Sequence, residues 1–256
     1  MPRILLPITS APLAVPLVRT TEDGALAPLG DRRLDPVDER TLAWAADRRA
    51  AGEADHVAAV TVGGADADGA LREAAARGAT TLTRVAPPAA APDLVAVARL
   101  LAAVAAARDD LAVLALGDES SVGSSGALPG AAAAALGWPL VARAREARLD
   151  GGRIVAERAA ADGTIERLEA PLPVVLSLAD DGRPLRAPRL SAVIAARTAP
   201  IEVVPGDPDA AAGSWPAAPL KVVPGPVRER ARRRVAAEAA ADELLALVGA
   251  LAGAAA

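Results

Sequence analysis

Short apolar runs alternate with helix-like segments through the first half of the chain. Four of these runs are rich in Val, Ile, Leu, Ala and Thr, and they cover Arg3–Ile8, His56–Val62, Thr80–Val85 and Leu111–Leu116. Runs that are apolar at consecutive positions are typical of strands buried on both faces, as in a parallel sheet. Parallel strands need crossover connections, which are usually helices. The pattern therefore predicts an α/β domain with helices on both faces of a parallel sheet.

Helical segments fill the spaces between these runs. Glu39–Ala51 carries leucine and alanine at helical spacing, directly after Asp38. Aspartate is favoured at helix N-termini, so Asp38 is the predicted cap of this helix and Asp93 the predicted cap of a later one. Three further helices are expected over Ala67–Arg77, Leu94–Arg108 and a segment around Ala131–Leu136.

The pattern changes after Trp138. Three short segments separated by Asp-Gly turns predict hairpin strands, and they cover Ala144–Leu149, Arg153–Arg158 and Thr164–Leu168. Pro173–Leu178 predicts one more buried strand. Four prolines within Ser214–Pro226 indicate an extended linker, and Val227–Leu251 predicts a long helix. We therefore expect an α/β domain over 1–212 and a C-terminal arm over 213–256.

Composition excludes several classes of function. The chain has no cysteine, so it forms no disulfide, thiolate metal site or cysteine nucleophile. Its net charge is −4, and no basic patch is interleaved with aromatic residues, so no nucleic acid partner is expected. The N-terminal apolar stretch is too short for a signal peptide, and no run of about 18 strongly apolar residues predicts a membrane span. We expect a cytoplasmic protein.

The chain has a single histidine, His56, at the start of a predicted strand. A Ser-His-Asp triad would need a serine on a sharp turn, and no Gly-x-Ser-x-Gly sequence occurs. The carboxylates show no spacing typical of a calcium loop. We interpret His56 as a structural or surface residue, expect neither a metal site nor a catalytic residue, and assign Trp44 and Trp138 to the core.

The stretch Gly117–Gly126 contains four serines and three glycines. It follows a predicted strand and precedes a predicted helix, and such a loop presents backbone N–H groups and a helix N-terminus to an anion. No Lys or Arg occurs between Arg108 and Arg143. A phosphate would therefore depend on backbone N–H groups, the hydroxyls of Ser124 and Ser125, and the helix dipole. A flexible turn without a ligand is the alternative.

Five stretches, in this order along the chain, resemble the β-subunit family of electron transfer flavoproteins. They are Arg33–Arg49, Leu71–Val85, the Leu-Gly-Trp-Pro sequence Leu136–Pro139, Asp150–Leu178 and Glu243–Leu251. The resemblance implies an adenine nucleotide α-hydrolase-like α/β fold and a role as an electron carrier subunit, not an enzyme. It also implies a heterodimer with an α-subunit that holds most of the FAD, an AMP or other adenine nucleotide in this subunit, and transient docking of a dehydrogenase.

The resemblance also implies a set of nucleotide-binding residues at the carboxyl ends of the predicted strands. They are Pro7, Asp35, Pro36, Val37, Asp38, Val62, Gly123, Ser124, Ser125, Gly126, Ala127, Leu128, Pro129 and Gly130. The chain departs from the family in its loop, where Val122-Gly123-Ser124 replaces an acidic triplet. It also departs at Val37, where the family has a phenylalanine close to the flavin. These departures indicate a divergent branch, for example one that serves mycofactocin-linked dehydrogenases.

The segment Arg183–Arg197 aligns with the loop by which the family docks a dehydrogenase. Leu190 is then the apolar anchor, and the flanking Arg186 and Arg189 provide cationic steering. The alternative is a surface strand that turns Leu190, Val193 and Ile194 inward. Arg228–Arg234 is interpreted as a solvated helix face, or alternatively as a contact for an acidic partner.

Two other functions remain open at this point. A stand-alone nucleotide-binding protein of the universal-stress type has a related fold and a similar Gly/Ser loop, although its chain usually ends after the sheet. An ATP-dependent ligase of the same superfamily would carry a glycine-rich loop after the first strand, and Leu5–Pro12 contains no glycine.

Overall fold

Seven parallel strands form the central sheet of the chain in a computed structural model. The structure describes residues 2–12, 18–20, 26–28, 32–87, 92–121, 124–179, 187–211 and 234–253. In chain order the strands are β1 (Arg3–Pro7), β2 (Ser10–Pro12), β3 (Val18–Thr20), β4 (Leu26–Pro28), β5 (Arg32–Leu34), β6 (His56–Val62), β7 (Thr81–Ala86), β8 (Leu111–Gly117), β9 (Leu140–Ala144), β10 (Glu146–Asp150), β11 (Arg153–Ala159), β12 (Ile165–Pro171), β13 (Val174–Leu178) and β14 (Glu202–Pro205). The helices are α1 (Pro36–Ala50), α2 (Asp68–Ala76), α3 (Leu94–Ala106), α4 (Leu128–Leu136), α5 (Leu190–Ala196), α6 (Pro208–Ala211) and α7 (Ala240–Gly253), with 3₁₀ turns at Ala65–Ala67 and Ala237–Ala239.

The central sheet has the strand order β14-β7-β6-β1-β8-β13-β9, and each neighbouring pair is parallel. After β1 the chain adds β6 on one side, and it later adds β8 on the other side. The crossovers therefore run in opposite directions from the gap between β1 and β8. In doubly wound sheets the carboxyl ends of the strands at such a gap form the usual ligand site. The predicted α/β class with a parallel sheet is confirmed.

Strand β1 shows why the sheet produces continuous apolar runs in the sequence. Ile4 and Leu6 belong to a buried cluster that includes residues of α1 and α2, and Leu5 belongs to a second cluster with residues of α3 and α4. Successive side chains of a strand point to opposite faces. Because both faces are covered, consecutive positions must all be apolar. The four predicted strand runs match β1, β6, β7 and β8 to within one residue at each end.

Helix α1 begins three residues before the predicted start. Asp35 is its N-cap and accepts a hydrogen bond from the backbone N of Val37 at 3.0 Å. Pro36 takes the first helical position, where its fixed φ suits the helix and its missing N–H costs nothing. The predicted cap at Asp38 is therefore wrong, because this residue lies inside the first turn. The predicted cap at Asp93 is confirmed by a 2.8 Å bond from the backbone N of Ala96.

A separate antiparallel sheet has the order β10-β11-β12. Its turns contain Gly151, Gly152 and Gly163, all with positive φ, as the Asp-Gly sequences predict. The first predicted hairpin strand is wrong at its start, because Ala144 ends the parallel strand β9 and β10 begins only at Glu146. Strands β9 and β14 were not predicted. Both are short edge strands of the central sheet, and several of their residues are exposed.

The chain divides into two units, Met1–Leu220 and Lys221–Ala256. The described part of the second unit contains the turn Ala237–Ala239 and helix α7. Residues 234–236 are not helical, so the predicted helix Val227–Leu251 is not continuous; residues 227–233 lie outside the described ranges. The predicted linker and the predicted boundary at residue 212 also fall at or within undescribed residues and stay predictions.

Candidate nucleotide site

A cavity of about 440 Å³ opens at the carboxyl ends of β1, β6 and β8. Pro7, Val62 and Gly117, the last residues of these three strands, line it. Residues of the loop before α4, including Ser125 and Gly126, line another part of the wall. The cavity therefore lies at the switch point of the sheet, where α/β proteins usually bind ligands.

Gly117 allows α1 to approach the end of β8. A Cβ atom built on Gly117 would lie 2.5 Å from Cγ1 of Val37, too close for two non-bonded carbon atoms. Glycine is therefore required for the contact between the first turn of α1 and the strand end. The contact brings Val37 directly behind the loop that lines the cavity.

Asp35 ties the segment after β8 to the start of α1. Its side chain is fully buried, and Oδ2 accepts hydrogen bonds from Oγ of Ser120 at 3.1 Å, and from N and Oγ of Ser121 at 3.0 and 2.7 Å. Oδ1 accepts the capping bond from Val37. The hydroxyls of Ser120 and Ser121 therefore donate to Asp35 and hold the loop in shape.

Asp38 is a buried carboxyl in the cavity wall. Its Oδ2 accepts a hydrogen bond from the backbone N of Thr9 at 2.6 Å. Burial raises the pKa of Asp38 to about 7 and the nearby carboxyl of Asp35 adds to this effect, while the backbone hydrogen bonds from Thr9 and Gly117 lower the pKa. Asp38 therefore changes charge close to neutral pH.

The charged lining of the cavity is mostly acidic. Among the described lining residues, the carboxylates are Asp38, Asp66, Asp118 and Glu119, and the cation is Arg32. The guanidinium of Arg32 is already engaged, since it donates to the hydroxyl and carbonyl of Ser10 and lies 3.5 Å from Asp66. A ligand with several negative charges would meet net repulsion here.

The N-terminus of α4 offers the opposite polarity. Its N-cap residue, Ala127, makes no side-chain capping bond, so this residue caps neither the N–H of Leu128 nor that of Gly130; Pro129 between them has no N–H. Leu128 and Pro129 of its first turn line the cavity beside Gly126, whose φ is +61°. Such a helix start can hold one anionic group.

The cavity brings together seven of the fourteen predicted nucleotide-binding residues. They are Pro7, Asp38, Val62, Ser125, Gly126, Leu128 and Pro129. Asp35, Pro36 and Val37 do not line the cavity. Neither do Ser124 and Ala127 of the loop, nor Gly130 in the first turn of α4. Gly123 lies outside the described residues. The sequence reasoning missed Thr9, Arg32 and Gly63-Gly64, of which the Gly-Gly pair directly after a strand was a detectable signal.

Residues 23–209 match the family model for the electron transfer flavoprotein domain. The chain belongs to the electron transfer flavoprotein family. It is 28% identical over 179 residues to proteins named electron transfer flavoprotein subunit beta from Mycobacterium bovis and Mycobacterium tuberculosis, a match that covers 68% of this chain and 67% of theirs.

In this electron transfer flavoprotein chain, residues Leu190–Ala196 of the predicted docking segment form helix α5. Leu190 begins the helix and is 74% exposed, and Ile194, one turn later, is 57% exposed. The alternative of a surface strand with inward-facing Leu190, Val193 and Ile194 is wrong, because the segment is helical and two of these side chains face out. Arg189 is exposed, and Arg186 lies outside the described residues.

A wider groove of about 1240 Å³ is lined by residues of α1 and of the antiparallel sheet and reaches the start of α5. Arg145, Arg148 and Arg189 are among the exposed arginines in its lining. Arg189 directly precedes the exposed Leu190. The apolar residue therefore lies beside a surface rich in arginine.

The remaining predicted residues are structural or exposed. His56 is exposed at the start of β6. Trp44 packs against the core and its Nε1 donates to the carbonyl of Ala147 at 2.8 Å; Trp138 packs against the other core cluster. Within the described ranges, no group of three or more acidic or histidine side chains could bind a metal ion, and no helix is long and apolar enough to cross a membrane.

Proposed function

We propose that this chain is the β-subunit of a heterodimeric electron transfer flavoprotein. It shuttles electrons from a dehydrogenase to a downstream acceptor, with FAD held at its interface with an α-subunit. The match over residues 23–209 carries the proposal, because these residues include six of the seven strands of the central sheet and helix α5. The likeness to relatives named as β-subunits supports the same role.

The second unit supports an α-subunit as partner. Leu244, Leu245, Leu247 and Val248 of α7 are each more than half exposed. Because these positions are nearly consecutive, their side chains point in several directions around the helix. A helix that is apolar around much of its surface needs burial. We propose that the arm over residues 213–256 binds the α-subunit and covers these side chains there.

FAD, when bound, supplies the storage of electrons between donor and acceptor. Val37 takes the position at which the family resemblance implies a phenylalanine next to the flavin. Val37 is half-buried and packs against Gly117, and the chain has neither Phe nor Tyr. We infer that at this position the chain contacts the flavin through an aliphatic side chain and backbone atoms.

We propose that the cavity between β1 and β8 binds an adenine nucleotide with a single phosphate. The cavity volume lies within the range of small-molecule sites, roughly 300–1,000 Å³. The phosphate would lie at the N-terminus of α4, near Ser125 and Gly126. The four carboxylates in the lining disfavour di- and triphosphates, which supports AMP over ATP. Extraction of the purified protein by heat, followed by chromatography of the supernatant, tests this; ATP or no nucleotide would contradict it.

We also propose that α5 docks a dehydrogenase. Leu190 and Ile194 form an apolar stripe at helical spacing, and the arginine-lined groove beside them suits an acidic partner surface. An apolar anchor with charged surroundings is typical of transient complexes, since the charges accelerate encounter and the anchor supplies affinity.

Co-expression with an electron transfer flavoprotein α-subunit tests the main proposal. We expect a yellow 1:1 heterodimer with stoichiometric FAD on size-exclusion chromatography, and poor solubility of this chain alone. A colourless homodimer that carries ATP would instead support the universal-stress type of protein.

A further inference from the structure

Arg143 has a backbone conformation that arginine rarely adopts. Its φ is +58°, in the left-handed region, and it lies at the carboxyl end of β9. The pairing of β9 with β13 shifts at this point, so that Ala142 and Arg143 together lie opposite Ser177. This arrangement is a β-bulge, a feature that commonly re-aims a side chain next to a functional site.

The bulge is held by a buried group. The backbone N of Arg143 donates to Oγ of Ser177 at 2.8 Å, and Ser177 is only 2% exposed. A left-handed conformation is unfavourable for any residue with a Cβ, and glycine would adopt it without strain. Strain of this kind persists only where the surrounding structure holds it, and it clusters at active sites and ligand clamps.

The arginine side chain has little to do within this chain. It is 76% exposed, and its Nη2 lies 3.8 Å from Oδ2 of Asp118, at the limit of an ion pair. Asp118 follows Gly117, against which Val37 packs. Arg143 therefore lies near the proposed flavin contact, at the edge of the sheet that binds ligands in this class of fold.

The surrounding charges leave this cation available to an anion. The cavity lining is mostly acidic, and its cation Arg32 is engaged by Ser10 and Asp66. Arg143, in contrast, faces solvent for most of its surface.

We propose that Arg143 is the cation that this subunit contributes to the flavin ring, where it stabilises the negative charge gained on reduction. The proposal rests on the proposed function, since it needs FAD at the subunit interface. A nearby positive charge favours the reduced flavin and raises its reduction potential. The expected size is about fivefold to tenfold in the reduction equilibrium, as for one exposed charge a few ångströms away.

The test compares Arg143→Gln with Arg145→Gln in the FAD-loaded heterodimer. Arg145 is also an exposed arginine, two residues further on, and it lines the wider groove instead. We expect Arg143→Gln to lower the midpoint potential by up to about 59 mV for one electron, which is tenfold, and Arg145→Gln to leave it unchanged. Arg143→Lys should keep the midpoint potential close to that of the parent, because lysine retains the positive charge.

Arg143→Gly separates a ligand contact from a structural role. This variant removes the cation and also the left-handed strain. The equilibrium constant for folding should therefore rise about fivefold, while the midpoint potential falls as in Arg143→Gln. A merely structural arginine would leave the potential unchanged in both variants. That result would overturn the proposal, as would weaker FAD binding at an unchanged potential, which points to the phosphates. Failure to form any flavin-containing heterodimer would instead refute the proposed function.

Discussion

Replacing Asp35 by alanine would release the segment after β8 from the start of α1. The buried carboxylate accepts four hydrogen bonds, one from Val37, one from Ser120 and two from Ser121. Loss of the helix cap costs about 1 kcal/mol. Each of the three hydrogen bonds to Ser120 and Ser121 contributes about 0.5–1.5 kcal/mol. Part of this loss is offset because Ser121 is exposed and its polar groups can bind water instead. We therefore expect a loss of about 3 kcal/mol.

The assay is thermal and urea-induced unfolding of the co-expressed heterodimer or, if it is soluble, of the isolated chain. For a unit of this size 1 kcal/mol corresponds to about 2–4 °C, so Asp35→Ala should lower Tm by about 6–12 °C. Asp35→Asn keeps one oxygen acceptor, and the hydroxyls of Ser120 and Ser121 can rotate to accept from the new amide group. The amide N–H groups would face the backbone N–H of Ser121, so this variant should lose only about 1–2 kcal/mol of stability. Exposed Asp47 on the same helix supplies the control, Asp47→Ala, expected within about 0.5 kcal/mol of the parent.

A second readout reports on the loop itself. Glu119 lies in the released segment, and a glutamate-specific protease should cleave there faster in Asp35→Ala than in the parent, because local opening exposes the chain. If Asp35→Ala melts within about 1 °C of Asp47→Ala and is cleaved no faster at Glu119, the carboxylate does not hold the loop and the reasoning fails.

Three further predictions follow from the site. Because the pKa of Asp38 is raised to about 7, the folded state binds the proton of this carboxyl more tightly than the unfolded chain does. Protonation of Asp38 therefore stabilises the folded state fully below pH 4, and this contribution is lost as pH rises through 7. Asp38→Asn should therefore gain stability relative to the parent as pH rises from about 4 to 7, by at most about 4 kcal/mol, and a difference in Tm that does not vary with pH would contradict this. Leu190→Ala should weaken dehydrogenase docking by about 2 kcal/mol, roughly 30-fold, and leave Tm unchanged. The matched control Val203→Ala should leave docking unchanged. A sharp fall in Tm for Leu190→Ala would identify Leu190 as a core residue. Gly117→Ala should lose about 1–3 kcal/mol because its Cβ displaces Val37, and an unchanged Tm would show that the helix moves freely.

Local patterns were enough to predict most of the scaffold. The strands of a doubly covered sheet must be apolar at consecutive positions, so β1, β6, β7, β8 and β13 were detectable from the sequence alone. The Asp-Gly turns likewise indicated the antiparallel sheet, because positive φ there strongly favours glycine. The cap at Asp93 followed from a local rule, and it needed no distant partner.

Long-range contacts decided what the local rules could not. Asp35 and Asp38 are both suitable caps by residue type, and Asp35 takes that place while Asp38 turns to Thr9, a residue 29 positions away. The short strand β9 depends on β13 for its hydrogen bonds, so its own sequence carries only a weak signal. The cavity, the engaged state of Arg32 and the bulge at Arg143 also arise from residues distant in sequence. Sequence periodicity reports which face of an element is buried, and only the packed sheet determines which side chains meet at its edge.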